Sequence, residues 1–154
     1  MSYVVRGLDP APYKPLFGLP DAELAERGVI RMTVSSPTFP CRVSLTDRTI
    51  GEKVRLLNHL SHDVANPYRA AHAIFVTEAD QLPAEYVDCI PPVFERRVLS
   101  LRGFDKNGMM AAAMLTQAGE AEAGILELFD NPDVDTIHAH NAVRGCFSAK
   151  IERH

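Results

Sequence analysis

The sequence predicts an α+β fold in which a mostly antiparallel sheet carries one main helix packed on it. Two hairpin signals, at residues 97–116 and 133–152, flank one amphipathic segment at about residues 118–130. Hairpins with a segregated helix are typical of α+β folds, whereas a parallel sheet alternates strands with helices. A length of 154 residues suits one domain with a substantial core, so we assign residues 1–154 to a single domain.

The N-terminal half predicts an arm followed by strands. Four prolines in residues 1–20 favour an extended, Pro-rich N-terminal arm over a helix. Residues 30–34 alternate apolar and polar side chains, as half-buried strands do, and residues 52–59 predict a second strand. The unbroken apolar run at residues 73–76 predicts a central strand buried on both faces. Residues 80–92 contain three prolines and predict an irregular connection.

The main predicted helix, residues 118–130, is preceded by a shorter one at residues 21–27. The apolar stripe of the main helix consists of Ala121, Ile125, Leu128 and Phe129. Gly119 and Gly124 lower its intrinsic helix propensity, so packing against the sheet must stabilise it.

The first hairpin turns at residues 105–108, Asp-Lys-Asn-Gly. Asp at the first position and Gly at the fourth predict a type I turn that closes with a left-handed glycine. Strands are therefore expected at residues 97–104 and 109–116.

The second hairpin concentrates the chemically capable side chains. His138 and His140 are two residues apart, so they share one face of a strand. If residues 141–145 form the loop, His140 lies opposite Cys146 and His138 lies opposite Ser148. The other face then collects the apolar residues Ile137, Ala139, Phe147, Ala149 and Ile151. Only a β-bulge near Gly145 would allow an odd register.

Composition and charge argue against nucleic acid and membrane partners. The formal net charge is -4, whereas proteins that bind the phosphate backbone usually carry a basic excess. A local group of basic residues is interpreted as solvated surface: Arg96, Arg97, Arg102 and Lys106. The longest apolar run, residues 109–115, is far too short to span a bilayer.

The cysteines predict a reducing environment. Cys41, Cys89 and Cys146 are an odd number without a Cys-x-x-Cys pair, unlike a secreted disulfide framework. The first residues also lack the basic and long apolar regions of a signal peptide. We therefore expect a cytoplasmic protein without an intrachain disulfide.

Several stretches together resemble a bacterial protein family known as domain of unknown function 1203. They are Pro40–Asp47, Gly51-Glu52, Leu56-Leu57-Asn58, Pro67-Tyr68-Arg69, His72–Val76 and His138-x-His140-Asn141-Ala142-x-x-Gly145-Cys146. Many members carry a tyrosine where this chain has His59. The resemblance implies no reaction. It implies that one arrangement contains Cys41, Arg42, Tyr68, Arg69, His72, His140, Asn141 and Cys146.

Four interpretations of these residues stay open. Cys146 next to His140 and Asn141 has the residue types of a histidine-activated thiol nucleophile. The two histidines with Cys146 and Cys41 would supply four nitrogen and sulfur donors for zinc. Arg42, Arg69 and a histidine would form a donor cluster for a carboxylate or phosphate. Finally, buried thiols and histidines also occur as structural groups without a ligand.

We therefore expect a small domain that binds an anionic metabolite through a Cys/His/Arg cluster and has the groups to act on it. The alternative is a non-catalytic structural or protein-interaction domain that forms a homodimer. The candidate catalytic residues are Cys146, His140 and Asn141. The candidate ligand-binding residues are Cys41, Arg42, Tyr68, Arg69, His72 and His138. The sequence assigns no metal ligand, identifies no cofactor and does not decide whether the protein is an enzyme.

Overall fold

Two antiparallel sheets and a few short helices make up the fold. The computed structural model describes residues 1–79 and 82–154. The strands are β1 (Tyr3–Arg6), β2 (Ile30–Thr33), β3 (Lys53–His62), β4 (Ala70–Thr77), β5 (Glu85–Val87), β6 (Leu99–Phe104), β7 (Met110–Thr116), β8 (Thr136–Asn141) and β9 (Phe147–Arg153). The helices are α1 (Asp21–Glu26), α2 (Pro92–Glu95) and α3 (Ala121–Asp130), with a 3-10 helix at Ala11–Leu16. The predicted mostly antiparallel α+β character is confirmed.

Helix α3 packs on β6 and β7 and buries the predicted apolar stripe. A single main helix is not confirmed, because the helical residues are divided among several short segments. Gly124 has a packing role that the sequence did not reveal. A Cβ at this position would collide with the side chain of Thr116 on β7. The glycine therefore lowers helix propensity but lets α3 approach the sheet closely.

The large sheet has the strand order β5-β1-β9-β8-β6-β7. Strand β1 lies inside it, between β5 and β9, so the N-terminal arm expected over residues 1–20 begins instead with an interior strand. The run Tyr3–Arg6 is too short to show the alternation of a strand, whereas the prolines that follow it predict an extended arm. Those prolines do exclude a regular α-helix, and residues 11–16 form the 3-10 helix.

The small sheet has the order β2-β3-β4. Strand β4 is therefore an edge strand, not the central strand predicted at residues 73–76, and its burial alternates over much of its length. Cys41 forms an isolated β-bridge with Phe75 of this strand. In the predicted irregular segment 80–92, residues 80 and 81 lie outside the described residues. The remainder contains β5 and the start of α2.

The turn between β6 and β7 is confirmed. The amide of Gly108 donates to the Asp105 carbonyl at 2.9 Å, and Gly108 has φ +73°. The Asp105 carboxylate also accepts from the amides of Asn107 and Met109. This aspartate thus fixes the hairpin through hydrogen bonds that only a short acidic or amide side chain can make.

The two faces of the large sheet meet different partners. Ile137 and Ala139 of β8 join the apolar core with α3. His138 and His140 project from the opposite face, where rings of β3 and β4 contact them. A bulge at Ser61 shifts the register of β3, so that His62 pairs with Ala70 and the His62 ring points toward the large sheet. The resulting histidine layer between the sheets consists of His59, His62, His72, His138 and His140.

Candidate functional site

The hairpin β8–β9 has a different register from the predicted one. His138 pairs with Lys150 rather than Ser148, and Ala139 pairs with Ala149. His140 then pairs with Phe147, which leaves Ser148 as the extra residue of a bulge. The prediction that His138 and His140 share a face is confirmed. The predicted pairing of His140 with Cys146 is wrong.

The bulge moves Phe147 from its predicted apolar face to the histidine face. Its ring centroid lies 5.6 Å from His59, 5.4 Å from His138 and 5.9 Å from His140. Ala149, two residues further along β9, joins the apolar core. Phe147 therefore serves as the apolar filling of the histidine layer, and this is the physical reason why the parity argument failed for it.

The histidine layer continues as pairs of rings across the sheets. The ring centroids of His72 and His140 are 4.8 Å apart, and those of His62 and His138 are 5.0 Å apart. Burial lowers the pKa of His138 to about 3 and that of His140 to about 4. Both rings are thus neutral at pH 7, and each keeps a nitrogen that accepts hydrogen bonds.

Arg42 is a buried cation at one end of this layer. Its guanidinium donates to the Phe147 carbonyl at 2.8 Å, to the Pro40 carbonyl at 2.5 Å and to Cys146 Sγ at 3.3 Å. Burial lowers the pKa of Arg42 from its ordinary value. A guanidinium nevertheless stays charged in proteins, so the layer contains a buried positive charge.

Two other arginines show what is missing around Arg42. Arg55, equally buried, forms an ion pair with Glu78, and Arg97 pairs with Asp47 through two nitrogens. In the part of the chain that the structure describes, no carboxylate forms an ion pair with Arg42. Its carbonyl partners supply hydrogen bonds but no negative charge, so its charge is hydrogen-bonded without being neutralised.

Cys146 accepts hydrogen bonds from Arg42 and from the Asn141 side chain, the latter also at 3.3 Å. His140 donates from Nδ1 to the Gly145 carbonyl at 3.0 Å. Among residues 1–79 and 82–154, no hydrogen bond joins the thiol to a histidine. The predicted catalytic residues therefore lie together but in other roles, with Asn141 bonded to the thiol instead of orienting the imidazole.

Arg102 is a site residue that the sequence interpretation missed by treating it as solvated surface. On β6 it pairs with His138 across the sheet, and its Nε donates to Ser100 Oγ at 3.3 Å. Burial is the main cause of the lowered pKa of His72, His138 and His140, and the positive charge of Arg102 adds to it. The alternation of polar residues 100 and 102 with Leu99 and Leu101 was visible. The pairing of β6 with β8, which brings Arg102 to the histidines, was not.

Arg42, Arg102, His140 and Cys146 all lie in the part of the chain that matches a known family. The family described as Protein of unknown function (DUF1203) matches residues 38–153. The chain belongs to this family. Neither the curated proteins nor the solved structures gave a match. The DUF1203 match begins after β2, so β1, α1 and β2 lie outside it.

Within the DUF1203 region, some predicted residues are not brought to the cluster. Arg69 is half-exposed and pairs with Asp63 at 3.2 Å. It precedes β4, whereas the backbone of Arg42 bonds to Phe75 near the other end of that strand. Six residues of strand separate the two positions by about 20 Å, so Arg69 and Arg42 do not converge as predicted.

Tyr68 and Cys41 also have separate surroundings. Tyr68 is partly exposed, and its ring lies 6.3 Å from that of Phe104, at the His62 end of the histidine layer. Cys41 is fully buried in the second apolar cluster, and its sulfur accepts from the Val43 amide. Tyr68 therefore lies toward the other end of the layer from Arg42, whereas Cys41 is close enough to Arg42 to act on it electrostatically.

Metal binding and membrane insertion gain no support. Throughout the described ranges, no three or more His, Cys, Asp or Glu side chains are placed to hold a metal ion. Nor does any helix there have the length and apolar character to cross a membrane. A surface cavity of about 360 Å³ lies at the His62–His138 end, away from Cys146, and Lys150 also lines it. The three cysteines keep their thiols and form no disulfide with one another.

Proposed function

We propose that the chain binds a small carboxylate or phosphate between its two sheets, with Arg42 and Arg102 as the cations. One observation carries the proposal. Both guanidiniums lack a carboxylate partner in the described residues, and both act electrostatically on the same neutral imidazole, His140. Three other arginines of low exposure, Arg48, Arg55 and Arg97, each have an acidic partner.

The buried charge of Arg42 has an electrostatic cost. A buried charge without a counter-charge costs several kcal/mol, while charge-assisted hydrogen bonds to an anion are about twice as strong as neutral ones. A bound anion would supply the charge that the carbonyl partners of Arg42 do not. The neutral histidines around it add no competing positive charge at pH 7.

Cys146 provides a chemical probe of the proposed site, because it shares Arg42 with the anion. The sulfur of Cys146 accepts hydrogen bonds from the Arg42 guanidinium and the Asn141 amide. This sulfur and a bound anion would compete for the hydrogen bonds of Arg42. We therefore expect ligand binding to slow the alkylation of Cys146 by iodoacetamide, with Cys89, which is exposed, as the internal control.

A thermal-shift screen of carboxylates and phosphates tests the proposal. At a ligand concentration of 100 times Kd, binding should raise Tm by about 5–10 °C. Arg102→Ala should remove the shift, because the anion loses one of its two cations. The variant should still fold, since Arg102 forms no ion pair within residues 1–79 and 82–154. Arg69→Ala is the matched control, since that arginine is already paired with Asp63. A shift that survives Arg102→Ala, or that Arg69→Ala abolishes equally, would contradict the site.

A second candidate function, self-association, is favoured by the edge strand β7. Its sequence, MAAAMLT, contains neither a charge nor a proline, and Leu115 is 65% exposed. Edge strands usually carry charged residues or proline, which prevent their open backbone groups from pairing with strands of other molecules. We propose that a second copy would pair here to form a homodimer. Light scattering should then give twice the monomer mass, and Ala113→Lys should return it to the monomer.

We also propose a bacterial cytoplasmic setting and no nucleic-acid partner. The cysteines without disulfides suit a reducing compartment, and the resemblance set out above is to a bacterial family. The net charge of -4 opposes binding to a phosphate backbone. Fluorescence anisotropy with a labelled duplex at low salt should show no binding.

A further inference from the structure

The hydrogen bonds of His140 determine which of its nitrogens is protonated. Nδ1 lies 3.0 Å from the Gly145 carbonyl oxygen, which can only accept. Nδ1 therefore carries the hydrogen. Because the ring is neutral at pH 7, Nε2 carries a lone pair and acts as an acceptor.

His72 is fixed in the same tautomer by a serine. The Ser61 hydroxyl donates its one hydrogen to the Ala70 carbonyl at 3.1 Å. It must therefore accept from the His72 Nδ1–H, which lies 3.0 Å away. Burial and the charge of Arg102 lower the pKa of His72, so its Nε2 also carries a lone pair at pH 7.

Both acceptor nitrogens belong to the proposed anion site. The two rings lie 4.8 Å apart, and Arg102 is the cross-strand partner of His138, which shares a face of β8 with His140. In residues 1–79 and 82–154, no side chain or amide donates to Nε2 of either histidine. The site thus combines guanidinium donors with two imidazole acceptors that have no donor of their own.

We infer that the ligand carries a hydroxyl group next to its anionic group. The inference rests on the proposed function and adds the chemical class, a hydroxyl-bearing small carboxylate or phosphate. The anionic group accepts from the guanidiniums, and the hydroxyl donates to Nε2 of His72 or His140. A ligand without the hydroxyl leaves a desolvated acceptor unpaired, which is how polar sites discriminate against such analogues.

Calorimetric titration of matched pairs tests this inference at pH 7.5. The pairs are lactate with propionate, and glycerol 3-phosphate with propyl phosphate. The hydroxyl-bearing member of at least one pair should bind 10-fold tighter or more, and that pair identifies the anionic group. Equal affinities within both pairs would overturn the inference while leaving anion binding intact. Failure of all four compounds to bind would overturn the proposed function as well.

A double substitution isolates the acceptor nitrogens. In His72→Asn with His140→Asn, each amide NH₂ takes the place of Nδ1–H, so the bonds to Ser61 and Gly145 are kept while Nε2 is lost. Anion binding should remain and the hydroxyl preference should disappear. His62→Gln is the control, because its amide replaces the Nε2–H that donates to Gly108, and it should keep the preference.

Nitrogen NMR of the wild-type protein provides a test that needs no variant. Long-range ¹H–¹⁵N correlation spectra distinguish the two neutral tautomers of each histidine. His72 and His140 should both be protonated at Nδ1, and the Nε2 resonance of at least one should move when the hydroxyl-bearing ligand is added. Protonation at Nε2 in both rings would overturn the inference whether or not the double variant folds.

Discussion

Strand β8 has two buried faces that are stabilised in different ways. Ile137 and Ala139 lie in the apolar core under α3, and His138 and His140 lie against the small sheet. All four side chains are buried. An apolar face is stabilised as soon as other side chains shield it from water. Each buried polar atom on the other face needs a hydrogen-bond partner, because burying it unpaired costs free energy.

The difference shows where function can reside. The apolar face contributes stability by removing surface from water, at any pH. The histidine face contributes only while its imidazoles stay neutral, and it contains cations without carboxylate partners. Such an arrangement is a poor way to stabilise a fold and a suitable way to hold an anion.

Acidification should have the largest effect, a fall in the free energy of unfolding that comes from the histidine face. Burial lowers the pKa of His138 and His140 from 6.5 to about 3 and about 4, and His62, Lys150 and Arg102 add to the effect on His138. Below pH 6.5 the unfolded chain therefore binds more protons than the folded chain. Stability is complete above pH 6.5 and is lost as the pH falls. Between pH 6.5 and 4.5 the loss should be about 2–5 kcal/mol, measured by urea unfolding.

The pH window separates histidines from carboxylates. The pKa values of Glu52 and Glu152 are lowered by hydrogen bonds from Arg48 and Lys150, so their protonation affects stability only below about pH 4.5. A free energy of unfolding that stays flat between pH 6.5 and 4.5 would show that these imidazoles are not buried as neutral groups.

Ile137→Ala should produce the next largest effect, and it should not depend on pH. Ile137 is fully buried in the apolar core, and truncation of such a side chain costs about 2–5 kcal/mol. Urea unfolding at pH 7.5 and at pH 5.5 should give the same loss. A loss that changes strongly between the two pH values would show that the two faces of β8 are not independent.

His138→Phe should have the smallest effect at neutral pH. The change nearly conserves volume, and the described residues donate no hydrogen bond to this ring, so stability at pH 7.5 should change by less than about 1.5 kcal/mol. The acid-dependent loss should become shallower, because one buried imidazole is gone. An unchanged acid slope would assign the pH dependence to groups other than His138.

The sequence predicted the faces of β8 but not the cover over one of them. Alternation placed His138 with His140 and Ile137 with Ala139, because side-chain period decides this locally. The burial of both faces follows from the position of the small sheet, which depends on contacts between distant segments. The turn at residues 105–108 was predictable for the same local reason.

Three parts of the site depended on non-local packing. The bulge at Ser148 exists because the ring of Phe147 fits among histidines contributed by other strands. Arg102 joins the site through the pairing of β6 with β8. Residue type and turn context predicted Arg69 as a partner of Arg42, yet the length of β4 separates them. Residue type thus predicted which chemical groups the site contains, and strand topology decided which residues come together there.

Arginine side-chain NMR can detect whether an anion binds at Arg42 and Arg102. The Nε–Hε signals of both residues, assigned with Arg→Lys variants, should shift together and with one Kd when the best anion from the screen is added. The signals of Arg55 and Arg97, already paired with Glu78 and Asp47, should stay in place. If the anion binds while Arg42 and Arg102 do not move, and an exposed arginine such as Arg96 shifts instead, the proposed site is contradicted.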